Sequence, residues 1–179
     1  MLKGQKKRKK IRYNLIHFLN EKEGRPLTIT KNGYVTNAQW LVDPKLFKDP
    51  LFIKRVVKER MFGKQKEIND EVVMEGVEKN KDKYKPLEFV KEVYKWIGVG
   101  DYKADMYVYK DSNGNGERYY IDMKYMSYFE RRINGMKLEG SEWNEPVKIL
   151  NGKSEMVGLV MGFKNMSQEY ESGLSLEGG

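Results

Sequence analysis

Residues 103–124 decide the fold, and they read KADMYVYKDSNGNGERYYIDMK. Two runs rich in aromatic and aliphatic residues, ADMYVY and RYYIDMKY, enclose the turn-forming segment DSNGNG. Aromatic and β-branched residues favour strands, whereas Asn, Gly and Ser favour tight turns. The sequence therefore predicts a β-hairpin in which Tyr107 and Val108 pair with residues 119–121.

The composition of the chain indicates one folded domain with a polar surface. Its 179 residues are 39% hydrophobic and 34% charged, a balance that supplies a core inside a lysine-rich surface. The lack of cysteine excludes disulfides and thiolate metal sites, and the single histidine, His17, argues against a histidine-rich metal site or a histidine triad. No apolar run approaches the ~20 residues of a membrane span, and the basic start is not followed by the apolar segment of a signal peptide. We therefore expect a cytoplasmic protein.

The net charge of +8 is unevenly distributed along the chain. The segment GQKKRKKIR holds six lysine or arginine residues among nine. Such a segment favours polyanions, through phosphate contacts that are indifferent to base sequence and weakened by salt. We expect residues 1–10 to form a flexible basic tail, whose alternative role is to aid solubility. The candidate nucleic-acid-binding residues of the tail are Lys6, Lys7, Arg8, Lys9 and Lys10.

The first third of the domain is predicted to be a helix followed by a hairpin. Residues 11–20, IRYNLIHFLN, place apolar side chains at helical spacing. The runs LTI and YVT then surround Lys31, Asn32 and Gly33, an Asn-Gly hairpin signal. We expect the second strand to continue through NAQWLV, with Trp40 as a packing anchor.

Residues 43–84 are expected to form a charged helical insert within the domain. Short helical patterns are punctuated there by Pro44 and Pro50. One of these pieces is basic, and it is either a solvated helix or a second surface for phosphates. Its candidate nucleic-acid-binding residues are Lys54, Arg55, Lys58 and Arg60.

The remainder of the domain combines a helix with several strands. Residues 85–98 are predicted to be a helix, because Phe89, Val93 and Trp96 form one apolar stripe and Pro86 stands in the first turn. After the central hairpin, MSYFERRI predicts a short helix, and MKLE, PVKILN and MVGLVMGF predict strands. We therefore expect one α+β domain at residues 11–164, with two or three helices packed on a mainly antiparallel sheet, and a disordered tail at residues 165–179.

The central stretch carries a possible magnesium site. Asp105 would lie on one strand and Asp122 and Lys124 on the next, where residues two apart project from the same face. Two carboxylates can hold Mg²⁺, and a lysine can assist the attacking water or stabilise negative charge. Glu88 or Glu92 on the preceding helix could add a ligand. This pattern resembles the core of the PD-(D/E)xK nucleases. The resemblance implies a Mg²⁺-dependent nuclease with Asp105, Asp122 and Lys124 as its centre.

The same stretch of sequence, residues 103–124, also matches the spacing of a calcium-binding loop. Acidic and amide side chains fall at positions 1, 3, 5 and 12 of an EF-hand-like spacing, with Gly116 at position 6. The pattern looks like a single dockerin-type loop, which implies bound Ca²⁺. A solvated hairpin turn explains the same segment without a metal. The four candidate ligands are Asp111, Asn113, Asn115 and Asp122.

A third pattern covers about half of the chain. The order YIDMKYMSYFERR, MKLE, EPVKILNG and MVGLVMGFK resembles the end of a bacterial DNA sliding clamp, the polymerase III β subunit. Near the start, IRYNLIHFLN and GYVTNAQWLV resemble a clamp half-domain, and small phage-encoded clamp-like proteins have a similar outline. The matching residues are Ile121, Asp122, Lys124, Tyr125, Met126, Pro146, Val147, Val160 and Met161.

The clamp-like resemblance implies a non-enzymatic protein of phage or mobile-element type. Such a protein would bind nucleic acid or a protein of a nucleic-acid-processing complex, would need no cofactor and could assemble as a homo-oligomer. Two other functions stay open at this point. One is the Mg²⁺-dependent nuclease, and the other is an inhibitor of a host nucleic-acid enzyme, that is, an anti-defence protein.

Overall fold

The structure is a computed structural model that describes residues 13–19, 27–62, 69–97, 103–112, 118–141 and 145–164, with the side chains of residues 57–62, 96–97 and 164 outside that description. Both predicted tails lie outside the described residues. The helices are α1 (Leu15–Leu19), α2 (Pro50–Phe62), α3 (Glu71–Lys79) and α4 (Met123–Glu130). The strands are β1 (Thr28–Ile29), β2 (Val35–Thr36), β3 (Trp40–Val42), β4 (Lys85–Ile97), β5 (Lys103–Asp111), β6 (Arg118–Asp122), β7 (Lys137–Gly140), β8 (Val147–Leu150), β9 (Met156–Val160) and β10 (Phe163–Lys164).

The described strands form one antiparallel sheet in the order β1-β2-β3-β9-β8-β7-β4-β5-β6-β10. Each neighbouring pair in that order is antiparallel. Together with the four helices, this sheet confirms the predicted α+β class. Within the described part of the chain, no helix is long and apolar enough to cross a membrane.

Two similar units build this sheet. In each unit a helix precedes three antiparallel strands, namely α1 with β1-β2-β3 and α4 with β7-β8-β9. The last strands of the two units, β3 and β9, pair with each other, so that Leu41 lies opposite Leu159 and Val42 opposite Gly158. Helices α1 and α4 also contact one another. The two units therefore share one sheet and one layer of helices.

Three helices pack on one face of the sheet around the ring of Phe18. This α1 side chain stacks on Trp40 of β3 at 4.5 Å and on Tyr128 of α4 at 4.3 Å between ring centroids. The rings of Phe52 in α2 and Phe129 in α4 meet it edge-on. Because aromatic rings bury large apolar areas, this cluster is the main contact that joins α1, α2 and α4. We call the outer surface of these three helices the helical face.

Helix α3 packs on the opposite face of the sheet. Its Val77 lies in a cluster with Leu41 and Leu159, whose side chains alternate along the strands with those that meet the helical layer. The start of α3 is tied to the first hairpin, because the buried carboxylate of Asp70 accepts hydrogen bonds from Thr30 Oγ1 and Asn32 Nδ2, both at 2.8 Å. The sheet is thus covered on both sides.

The predicted helix at residues 85–98 is wrong, because β4 occupies Lys85–Ile97 as a strand paired with β5. Irregularities in the pairing fall between Phe89 and Lys91 and again between Val93 and Trp96. Each extra residue switches the face on which the next side chains project, so the apolar spacing imitates a helical period. Phe89 is 53% exposed and Val93 only 7%, which a single buried stripe would not produce.

The two predicted hairpins are present, with one correction. In the central hairpin Tyr107 pairs with Ile121 and Val108 with Tyr120, as expected. In the Asn-Gly hairpin β1 pairs with β2, but the second strand does not continue through NAQWLV. The side chain of Asn37 accepts hydrogen bonds from the backbone N of Gln39 and Trp40, which turns the chain back into β3.

A substitution at Gly158 tests the pairing of β3 with β9, which joins the two units. A Cβ added there would overlap the backbone carbonyl oxygen of Leu41 in the paired strand. We expect Gly158→Ala to lower the free energy of unfolding by roughly 1–3 kcal/mol or more, because the strands must move apart. Urea denaturation followed by circular dichroism measures this change.

The matched control is Gly76→Ala in α3, where an added Cβ meets only the carboxylate end of Glu145, at 3.6 Å. Because alanine favours a helix over glycine, this variant should be unchanged or more stable by about 0.5–1 kcal/mol. Equal stability of the two variants would contradict the proposed close approach of β3 and β9.

Candidate functional site

Asp122 lies where β6 ends and α4 begins. Its Oδ1 accepts a hydrogen bond from the backbone N of Lys124 at 2.9 Å, and its Oδ2 lies 3.4 Å from Lys124 Nζ. The prediction that these two residues share a strand face is wrong, since the helix begins at Met123. The start of the helix brings the two charges together instead. The Asp122 side chain is 7% exposed, so it acts as a nearly buried helix cap.

Asp105 lies close to Asp122, on the neighbouring strand. Its neighbour Met106 pairs with Asp122 in the register of β5 and β6. Asp105 Oδ2 accepts a hydrogen bond from the Tyr13 hydroxyl at 2.9 Å, and Oδ1 accepts one from the backbone N of Lys95 at 3.1 Å. Burial raises the pKa of Tyr13 well above its usual value, and the hydrogen bond to Asp105 and the charges of both aspartates raise it further. Both carboxylates therefore lie near one hydroxyl group.

Glu88, proposed as a further magnesium ligand, lies elsewhere. It is on a strand rather than a helix, pairs with Lys110 and lies 3.9 Å from that residue's Nζ. Lys110 is five residues along β5 from Asp105, which corresponds to about 17 Å. Among the described residues no group of three or more Asp, Glu, His or Cys side chains could hold a metal ion. The structure thus gathers Asp105, Asp122 and Lys124 but not Glu88.

The calcium candidates are also separated. Asn113 and Asn115 lie outside the described residues. Asp122 is opposite Met106, which is five residues along β5 from Asp111, again about 17 Å. The hairpin register therefore does not bring Asp111 and Asp122 to one ion.

The basic candidates divide between described and undescribed positions. Lys54 is exposed and Arg55 half-buried on α2, the helix whose first turn packs on α1 and α4. Lys58 and Arg60 belong to the same helix, with their side chains outside the description, and residues 6–10 lie outside it altogether. The structure therefore places the helix that carries the second basic group beside α1, with the side chain of Lys54 exposed.

A buried carboxylate fixes the position of α2 on this face. Asp49 Oδ1 accepts hydrogen bonds from the backbone N of Leu51 and Phe52, and Oδ2 accepts from the Tyr128 hydroxyl and from Arg132 Nε, both on the α4 side. Burial would raise the pKa of Asp49, but the hydrogen bonds from Tyr128 and Arg132 outweigh it and hold this pKa below its usual value. The ionised group therefore joins the start of α2 to the end of α4.

Two arginines that the sequence interpretation did not select complete the helical face. The guanidinium of Arg132 lies 3.5 Å from the centre of the Tyr128 ring, and Arg131 donates hydrogen bonds to the carbonyl oxygens of Ser127 and Tyr13. The two consecutive arginines in the segment MSYFERR were the signal from which they could have been selected. Arg131 thus joins the end of α4 to the residue that follows the basic start of the chain.

Comparison with known proteins gives no match, whether to a protein-family model, to a curated protein sequence or to a solved structure. The function is therefore argued from the geometry of this chain.

The role of Asp122 as a helix cap can be tested by two substitutions at the same position. Asp122→Ala removes the acceptor for the backbone N of Lys124 and should lower the free energy of unfolding by about 0.5–2 kcal/mol. Asp122→Asn keeps an acceptor that caps helices well, so it should cost clearly less. Urea denaturation at neutral pH compares the two, and an equal cost would show that the charge, rather than the cap, matters.

Proposed function

We propose that this protein is a non-enzymatic, clamp-like accessory factor that binds nucleic acid through its helical face. The observation that carries the proposal is that the basic helix α2 lies on this face together with α1, the helix that follows the basic start of the chain. Residues 1–12 lead directly into Tyr13 and α1, and the basic helix α2 packs beside α1 and α4.

The charges of these segments fit the phosphate backbone. The first twelve residues carry seven lysine or arginine side chains and no acidic one. Helix α2 adds four, against the single acidic residue Glu59. Dense positive charge of this kind supplies affinity for nucleic acid of any sequence.

The architecture supports the clamp-like part of the proposal. The sliding-clamp resemblance rests on two segments in which a helix is followed by strands, one near each end of the chain. Both segments fold as a helix with a three-stranded meander, joined through β3 and β9 and through the contact of α1 with α4. This doubled arrangement is what two half-domains of a clamp-like protein would need.

The geometry favours a structural role over a catalytic one for Asp105 and Asp122. Each of their four carboxylate oxygens already has a protein partner, from Tyr13, from Lys95 or from Lys124. Groups engaged in this way stabilise the start of α4 and its contact with α1. We therefore assign these carboxylates a structural role.

A salt titration with charge-reversed variants tests the proposal. Fluorescence anisotropy with labelled duplex DNA should give a binding constant that falls linearly with salt on a log–log plot, with a slope of about −0.9 per phosphate contact. Replacing Lys54, Lys58 and Arg60 together by Glu should weaken binding at every salt concentration and flatten the slope by up to about 2.7, because three contacts are lost. Arg55 is left unchanged because it is half-buried.

The matched control reverses three lysines away from α2, at positions Lys79, Lys83 and Lys153, and so changes the net charge by the same amount. All three are exposed. For this control variant, the slope of the binding constant against salt on the log–log plot should stay close to that of the original protein. Undetectable binding to both duplex DNA and RNA at low salt would refute the proposal, and an equal loss in both triple variants would show that no particular face is used.

A further inference from the structure

The sheet contains an open groove between β4 and β7. These strands pair only where Lys85 meets Gly140 and Pro86 meets Glu139. Beyond that point β4 continues beside β5, whereas β7 continues beside β8. The two strands diverge around a groove of about 760 Å³. Its apolar lining includes Leu87, Phe89, Tyr109, Met136 and Leu138.

Two strand edges border this groove without a neighbouring strand in the described part of the chain. One is the edge of β7 at Lys137 and Leu138, and the other is the edge of β4 from Leu87 onward. The irregularity after Phe89 disrupts the β4 edge further along, so its regular part is short. Such edges present backbone N–H and C=O groups that another extended chain can satisfy.

The hydroxyl of Tyr109 is a buried donor at the groove. Tyr109 is only 5% exposed, and its hydroxyl makes no hydrogen bond to any residue that the structure describes. Burial raises the pKa of Tyr109 well above its usual value, and the nearby Glu130 raises it further, so the group stays protonated. Since buried polar groups in folded proteins are normally paired, the hydroxyl indicates a missing acceptor.

The ring of Phe89 forms an apolar wall of the same groove. It is half-exposed and meets the rings of Tyr107 and Tyr109 edge-on at 5.6 and 5.8 Å. Met136 and Leu138 lie on the β7 side. A large apolar side chain of a ligand would fit between these walls.

The charged side chains that line the groove indicate which class of ligand it could bind. Lys137 and Lys148 line it together with Glu130 and Glu139, so positive and negative side chains balance. A balanced lining does not favour a polyanion, in contrast to the helical face. The open strand edges, and the apolar walls with balanced charges beside them, both suit a peptide.

We propose that the groove between β4 and β7 binds an extended peptide segment of a partner protein. The peptide adds its main chain to the free strand edges, places one large apolar side chain against Phe89 and supplies an acceptor to the Tyr109 hydroxyl. The groove lies beside the end of α4, since Glu130 of that helix is part of its lining.

The test selects ligands from a phage-displayed library of random twelve-residue peptides on the immobilised full chain. We expect enriched peptides that carry a large apolar residue within an extended pattern. Phe89→Ala should weaken their binding tenfold or more, as removal of an aromatic anchor does. Tyr109→Phe removes only the hydroxyl and should weaken binding roughly three- to tenfold, while the melting temperature stays unchanged or rises because an unpaired buried group is removed.

The matched control is Val72→Ala, since Val72 is an exposed apolar residue on α3, away from the groove. It should bind the selected peptides as the original protein does. The proposal is overturned if no peptide is enriched, or if Phe89→Ala does not weaken the binding of the enriched peptides. It is equally overturned if Val72→Ala weakens their binding as much as Phe89→Ala does. It is also overturned if Tyr109→Phe leaves peptide binding intact, or if Phe89→Ala abolishes binding of duplex DNA or RNA instead, which would make the groove a nucleic-acid surface.

Discussion

The pairing of β3 with β9 is the constraint on which the rest of the structure depends. It joins two units, each a helix with three strands, into one sheet, and it requires Gly158 because the two backbones approach too closely for a side chain. Once these strands are paired, Trp40 points to one face of the sheet and Leu41 to the other. The first face collects α1, α2 and α4, and the second collects α3. The pairing of β3 with β9 thus determines which helices lie on each face of the sheet.

Packing and charge then act together on the helical face. The ring of Phe18 contacts residues from α2, α4 and β3, and the ionised Asp49 ties the first turn of α2 to Tyr128 and Arg132. Buried charges are tolerated only when they are paired, so this contact specifies the position of α2 as well as stabilising it. Helix α2, whose sequence is basic, is consequently held beside α1, the helix that follows the basic start of the chain, and this arrangement is the basis of the proposed binding to phosphates.

The sequence predicted features that depend on neighbouring residues and missed those that depend on distant ones. The Asn-Gly turn, the central hairpin and the burial of Trp40 follow from local turn chemistry and apolar patterning, and all three are confirmed. The predicted helix at residues 85–98 failed because pairing irregularities in β4 imitate a helical period. At the candidate site, the proximity of Asp105 and Asp122 was anticipated, but the helical position of Lys124 was not. The groove could not be foreseen, because it arises where β4 leaves β7, and these strands are some forty residues apart in the chain.

Hydrogen–deuterium exchange of the full chain, with and without duplex DNA at low salt, tests the central claim most directly. If the helical face holds nucleic acid, peptides covering residues 1–19 and 50–62 should exchange more slowly in the complex. Peptides covering α3, on the opposite face of the sheet, should exchange at the same rate with and without DNA. Protection confined to α3, or no protection anywhere under conditions in which DNA is bound, would contradict the account.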